Sequence, residues 1–131
     1  MTILRILALT AIAVILAASP PAKAQNFAVS AVGFFERANT GPLSFSAVNI
    51  FYDDRCVDPE LCFRSDDMAI SVVLFGQSGL SERIMRLGRP VRVPGGTLLL
   101  AGVGAPPSPR GATPLDQYRL TFIFTPDRAR R

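Results

Sequence analysis

From Phe27 onward, apolar residues recur at every second position in short runs, and Gly, Pro, Asn and Asp separate the runs. This is the period of half-buried β-strands, whose successive side chains point to opposite faces. Phe27, Val29 and Ala31 open a first run that continues through Gly33 to Phe35 and stops at the turn-like Asn39-Thr40-Gly41-Pro42. Residues 43–52 predict a second strand, with Val48, Ile50 and Tyr52 on one face and Asn49 and Phe51 on the other. Residues 68–75 predict a third strand, apolar on both faces in its second half and therefore central in a sheet. Gly76-Gln77-Ser78-Gly79 turns the chain. Residues 84–87 and 91–93 read as short strands at a sheet edge, since charge and Pro90 interrupt them, with Arg86 and Arg92 facing solvent. Residues 97–103 form the next strand after the Pro94-Gly95-Gly96 turn. A loop over 104–113, with Pro106, Pro107, Ser108 and Pro109, is exposed. In the closing strand, residues 118–124, Tyr118, Leu120, Phe122 and Phe124 point inward while Arg119, Thr121 and Thr125 point outward. No capped helical period of ten or more residues interrupts this series. The expected fold is all-β, an antiparallel β-sandwich of about seven strands or a partly closed barrel over residues 25–125.

The chain ahead of this pattern has a different character. Arg5 precedes thirteen uncharged residues (6–18), and Ser19-Pro20-Pro21 ends the apolar run well short of the roughly 20 residues needed to span a bilayer. Ala22-Lys23-Ala24 then offers a small-x-small cleavage site. Residues 1–24 therefore read as a signal-peptide helix, the processed chain starts at Gln25, and the product is exported to the periplasm or the medium with no remaining membrane span. Residues 126–131 form a basic C-terminal tail.

Composition narrows the chemistry. The chain has 131 residues, 14 basic and 10 acidic side chains, two cysteines, no histidine and no tryptophan. Without histidine, the usual near-neutral proton shuttle and the commonest zinc ligand are both missing. The only lysine, Lys23, lies in the leader. Charge is polarised: residues 25–81 carry three arginines and seven acids, and residues 82–131 carry nine arginines and three acids. Pairing of these halves across one fold would cancel most of the field. The exception is the tail, where Arg128, Arg130 and Arg131 form a solvated end. No basic helical face or aromatic-interleaved basic stretch points to nucleic acid.

Cys56 and Cys62 lie six positions apart, and in an oxidising compartment they are expected to form a disulfide that stabilises by about 2 kcal/mol. Two cysteines without histidine do not make a four-ligand zinc site. Six of the ten acids fall around this bridge: Asp53, Asp54, Asp58, Glu60, Asp66 and Asp67. Oxygen ligands on a stapled loop are calcium chemistry, and Asp53, Asp54, Asp58, Asp66 and Asp67 are the candidate set. Against that reading, EF-hand spacing is absent and Arg55 and Arg64 interrupt the cluster, so a solvated loop with local ion pairs competes with it. Asp53 with Asp66 or Asp67 is a candidate carboxylate pair for glycoside hydrolysis, although a chain this small leaves little surface for a cleft. Ser44, Ser46 and Ser71 have no histidine to activate them, and Tyr52 and Tyr118 read as half-buried strand aromatics with surface hydroxyls.

The segment Asp53, Arg55, Cys56 and Cys62 resembles a set of small bacterial exported proteins and lipoproteins. In that family a strand runs into Asp-Ser-Arg-Cys-Pro, and a second cysteine follows after four further residues. Asp54 and Val57 stand where the family has serine and proline, and Arg64 and Asp66 follow where it continues with an aromatic residue and a glycine. A later apolar strand, proline loop and closing tyrosine strand are similar to residues 98–103, Pro106-Pro107 and residues 118–124. The resemblance implies a β fold and the bridge, and it implies no activity. If Asp53 to Arg55 stay extended, period two sets the two opposite charges on one face as an ion pair at the strand exit. The expected function is that of a non-catalytic binding or structural module of the cell envelope, without cofactor, engaging an envelope protein or a glycan.

Overall fold

The computed structural model describes residues 25–107 and 113–128. The leader, with Arg5 and Lys23, lies outside the described residues, as do Ser108 and Pro109 of the proline loop and Arg130 and Arg131 of the tail. The described chain forms eight strands: β1 (Phe27–Val32), β2 (Ala38–Thr40), β3 (Leu43–Asp53), β4 (Met68–Gly76), β5 (Gly79–Arg86), β6 (Val91–Val93), β7 (Gly96–Val103) and β8 (Leu120–Pro126). They make two four-stranded antiparallel sheets, ordered β1-β8-β7-β6 and β2-β3-β4-β5, which stack without closing into a barrel. No α-helix occurs among the described residues.

The core is the sum of the inward faces that period two predicts. Phe45, Met68, Ile70, Val72 and Met85 from one sheet meet Leu98, Leu100, Leu120, Phe122 and Phe124 from the other, all completely buried. Phe45 stands edge-on to Phe122 across the gap, with ring centroids 4.8 Å apart. Each open side of the stack is laced by a side chain. Thr40 Oγ1 donates to the Phe27 carbonyl at 3.0 Å, and Arg83 Nε donates to the Arg92 carbonyl at 3.2 Å, so β1 is tied to β2 and β5 to β6.

The strand pattern departs from the sequence expectation where the backbone bulges. Ala31 sits at φ 57 in a register shift between Val29 and Val32, so β1 ends on buried Val32 and Ala31 turns outward. In β3, shifts between Ala47 and Asn49 and between Ile50 and Tyr52 change the phase twice. Ile50 therefore lies opposite inward Ile70, while Asn49 and Tyr52 lie opposite Ser71 and Ala69 on the outer face. Simple alternation places Ile50 and Tyr52 together. An eighth strand, β2, occupies Ala38–Thr40 and so takes in Asn39 and Thr40, the first half of the expected turn. The turn itself is the two-residue loop Gly41-Pro42, with φ 57 at the glycine. Tyr118 precedes β8, after a 3-10 turn at Leu115–Gln117.

The antiparallel order has one consequence for function. The connections β1–β2, β3–β4, β5–β6 and β7–β8 gather at one end of the sandwich, and β2–β3, β4–β5 and β6–β7 at the other. The bridged acidic loop is β3–β4, and it therefore shares its end with the β7–β8 connection.

Candidate functional site

β3 delivers Asp53 to the inner face, opposite Met68, and the chain then turns into the loop. Arg55 folds back onto Asp53 as a fork: Nε donates to Oδ1 at 2.7 Å and Nη2 to Oδ2 at 2.8 Å. The remaining terminal nitrogen, Nη1, donates to the Ala105 carbonyl at 2.6 Å, joining the β3–β4 loop to the β7–β8 connection. Tyr118 completes the group from 65 positions away, its hydroxyl donating to Asp53 Oδ2 at 2.7 Å. The ring is 2% exposed and packs edge-on against Phe34. Its hydroxyl is therefore an interior group, contrary to the surface position expected from the strand pattern.

Burial alone would raise the Asp53 carboxyl, but the Arg55 fork and the Tyr118 hydroxyl outweigh it and hold the group below its usual value. Arg55 is pushed up by the same carboxylate. Burial, and then the bond to Asp53, raise the Tyr118 phenol.

Asp67 builds a second group on the outer face. Its Oδ2 accepts from Arg86 Nε at 2.7 Å and from Arg86 Nη2, and from the Tyr52 hydroxyl at 3.1 Å; Oδ1 caps the Met68 N–H at 2.8 Å. Tyr52 and Arg86 are the two cross-strand neighbours of Ala69, so this arch covers Ala69, which is 2% exposed. The hydrogen bonds from Arg86 pull the Asp67 carboxyl down, with the Met68 N–H and the Tyr52 hydroxyl assisting. Arg86 thus serves a structural ion pair instead of simply facing solvent. Of the three ion pairs among the described residues, only this one joins the acidic and basic halves; Asp53–Arg55 and Asp127–Arg92 each stay within one half.

Cys56 and Cys62 are bonded, with Cα atoms 5.4 Å apart. Inside the ring, Asp58 accepts from the Glu60 N–H at 3.0 Å and caps the 3-10 turn Pro59–Leu61. Asp66, at φ 52, accepts from the Cys56 N–H at 2.9 Å and closes the loop from its other side. The five carboxylates of the calcium set are therefore dispersed: Asp53 inward, Asp67 outward, Asp58 and Asp66 on backbone N–H groups, and Asp54 at a groove between the two connections. No group of three or more metal-ligating side chains occurs among the described residues. Of the acids considered as a pair for hydrolysis, Asp53 and Asp67 take partners on opposite faces of the sheet, and Asp66 accepts from the Cys56 N–H.

Between the two connections runs a half-open groove of about 550 Å³. Phe51 from the end of β3, Asp54 just beyond it, Arg64 from the bridged loop, and Leu115 and Tyr118 from the β7–β8 connection all line it. Arg64 also lines a smaller hollow of about 200 Å³ formed by Val57, Leu61 and Phe63 on the bridged loop. Eight large apolar side chains are exposed among the described residues, and five of them, Phe51, Val57, Leu61, Phe63 and Leu115, belong to these two depressions. Leu61 is 68% exposed and Phe63 97%. None of the five emerged as a site residue from periodicity. The available signal was composition: Val57, Leu61 and Phe63 stand among charged residues in a segment with no strand period, where burial has no claim on them.

Among the described residues, no helix is long and apolar enough to cross a membrane. No family model, curated protein or solved structure matches the chain.

Proposed function

We propose that the chain is an exported, non-catalytic binding module of the cell envelope, related to the small exported proteins whose cysteine segment it resembles, and that it docks a partner protein through the bridged-loop end. The observation that carries this reading is the concentration of exposed apolar side chains there. Single exposed apolar residues are ordinary on protein surfaces, whereas a contiguous set with a polar rim marks an interaction site. The scaffold beneath is stiffened twice, by the disulfide and by the Asp53–Arg55–Tyr118 group, so that Leu61 and Phe63 are presented with little ordering cost on binding. Export is supported by the leader pattern and by the bridge, which belongs in an oxidising compartment. The lack of histidine and the engagement of Asp53 and Asp67 in ion pairs favour binding over catalysis.

The test is comparative capture from the native envelope with the oxidised protein and its Leu61→Asp/Phe63→Asp variant. A protein retained by the first and lost with the second is the expected result. Equal retention by both, at equal folding, overturns the proposed surface.

A further inference from the structure

The partner's chemistry can be read from the rim of the same surface, on the premise that the bridged-loop end is where docking occurs. Within residues 54–66, four exposed acids, Asp54, Asp58, Glu60 and Asp66, stand against one exposed guanidinium, Arg64, a formal excess of three negative charges over that segment. Asp53, which also faces the groove, adds little to this field because Arg55 neutralises it. Of these four acids only Asp54 lines the groove. Its backbone N–H is committed to the Asp67 carbonyl at 2.8 Å, yet no hydrogen bond or ion pair engages its carboxylate among the described residues. Its acceptors therefore stand open to the groove beside Phe51 and Leu115. Arg64 supplies donors between the groove and the hollow, and a guanidinium placed there suits backbone carbonyls.

We infer that the groove takes an extended segment of a partner protein in which a basic residue lies next to an apolar one. The apolar side chain rests on Phe51 and Leu115, the cation meets Asp54, and Arg64 holds a carbonyl of the segment. The opposite charge balance would be disfavoured, since an acidic segment meets like charge along the rim. An anionic lipid surface is disfavoured for the same reason. The groove volume lies within the roughly 300–1,000 Å³ typical of binding pockets, enough for a few side chains of such a segment.

The experiment is fluorescence anisotropy with the oxidised protein and two labelled probes, acetyl-Gly-Arg-Leu-Arg-Phe-Arg-amide and its counterpart with glutamate in place of each arginine. The basic probe is expected to bind, and the acidic probe to give no change up to about 1 mM. Binding of the basic probe should weaken about tenfold in Asp54→Asn and with added salt to about 0.5 M, the latter because exposed charges are screened. Leu115→Ser should weaken it comparably through the apolar half of the contact. Asp54 is exposed and its backbone bond does not use the side chain, so Asp54→Asn should melt like the parent protein. Equal binding of the two probes, indifference to Asp54→Asn, or no binding of the basic probe overturns the inference. If the basic probe fails while capture still depends on Leu61 and Phe63, the surface stands and only the occupant is wrong; if both fail, the docking reading falls as well.

Discussion

At the scale of the residue, the Asp53–Arg55–Tyr118 group is the interaction on which the loop end most depends. The Arg55 and Asp53 side chains are only 10% and 14% exposed, so Arg55→Ala leaves a carboxylate nearly out of water. Breaking a buried pair by removing one partner costs roughly 3–5 kcal/mol, and the residual exposure of Asp53 places this case near the lower end. Chemical denaturation of Arg55→Ala measures it. Because the Asp53 carboxyl is held below its unfolded value of about 3.9, its stabilisation is complete above that pH and is lost as pH falls through the folded value. An acid titration of stability should accordingly be flatter below about pH 4 in Asp53→Asn than in the parent. Tyr118 works with the opposite sign. Its phenol is raised, so the unfolded chain loses its proton first and stability declines as pH rises above about 10. Tyr118→Phe should lack that alkaline decline. A separate steric prediction falls on Gly96, where an added Cβ would sit 2.1 Å from the Thr125 carbonyl oxygen and 2.9 Å from Pro126 Cα. Backbone on the neighbouring strand cannot yield as a side-chain tip does. Gly96→Ala should therefore cost at least about 2 kcal/mol and lower the melting temperature by roughly 8 °C or more.

The individual strands show how far the sequence reaches and where it stops. β8 follows the apolar period closely, and β7 does so as far as Leu100, after which a bulge brings Val103 opposite inward Leu120. β3 does not, since each bulge inserts one residue and a one-residue slip exchanges faces; nothing in the run from Leu43 to Asp53 marks Val48 or Phe51 as the inserted residue. β2 is three residues long, too short to carry a period. The Cys56–Cys62 bridge and the Asp53–Arg55 contact were legible because both join residues within six positions of each other. Tyr118 was not, because a contact spanning 65 positions is created only when the sandwich stacks. The arch of Tyr52, Asp67 and Arg86 was hidden for the same reason. The β3–β4 loop also has more than one closure: the Asp54 N–H to the Asp67 carbonyl, Cys56 N–H to Asp66, and Arg55 to Ala105. Cys56→Ser/Cys62→Ser should for that reason lose about 2 kcal/mol while keeping the β circular-dichroism spectrum of the parent. Collapse of that spectrum would mean that the bridge, and not these bonds, defines the loop.

Over the whole molecule, the architecture separates scaffold from surface. Two sheets bury one contiguous core, and four connections are brought to one end. Exposed apolar side chains concentrate there, while β5 carries the remaining Leu80 and Ile84 on an edge strand. The most direct discrimination is photo-crosslinking in the native envelope, with benzoylphenylalanine placed at position 63 or, as a control, at position 80. Both Phe63 and Leu80 are highly exposed, so accessibility alone does not distinguish them. A discrete adduct from position 63 and none from position 80 is the predicted outcome. An adduct from position 80 alone, or equal adducts from both, would contradict the assignment of the bridged-loop end as the docking surface.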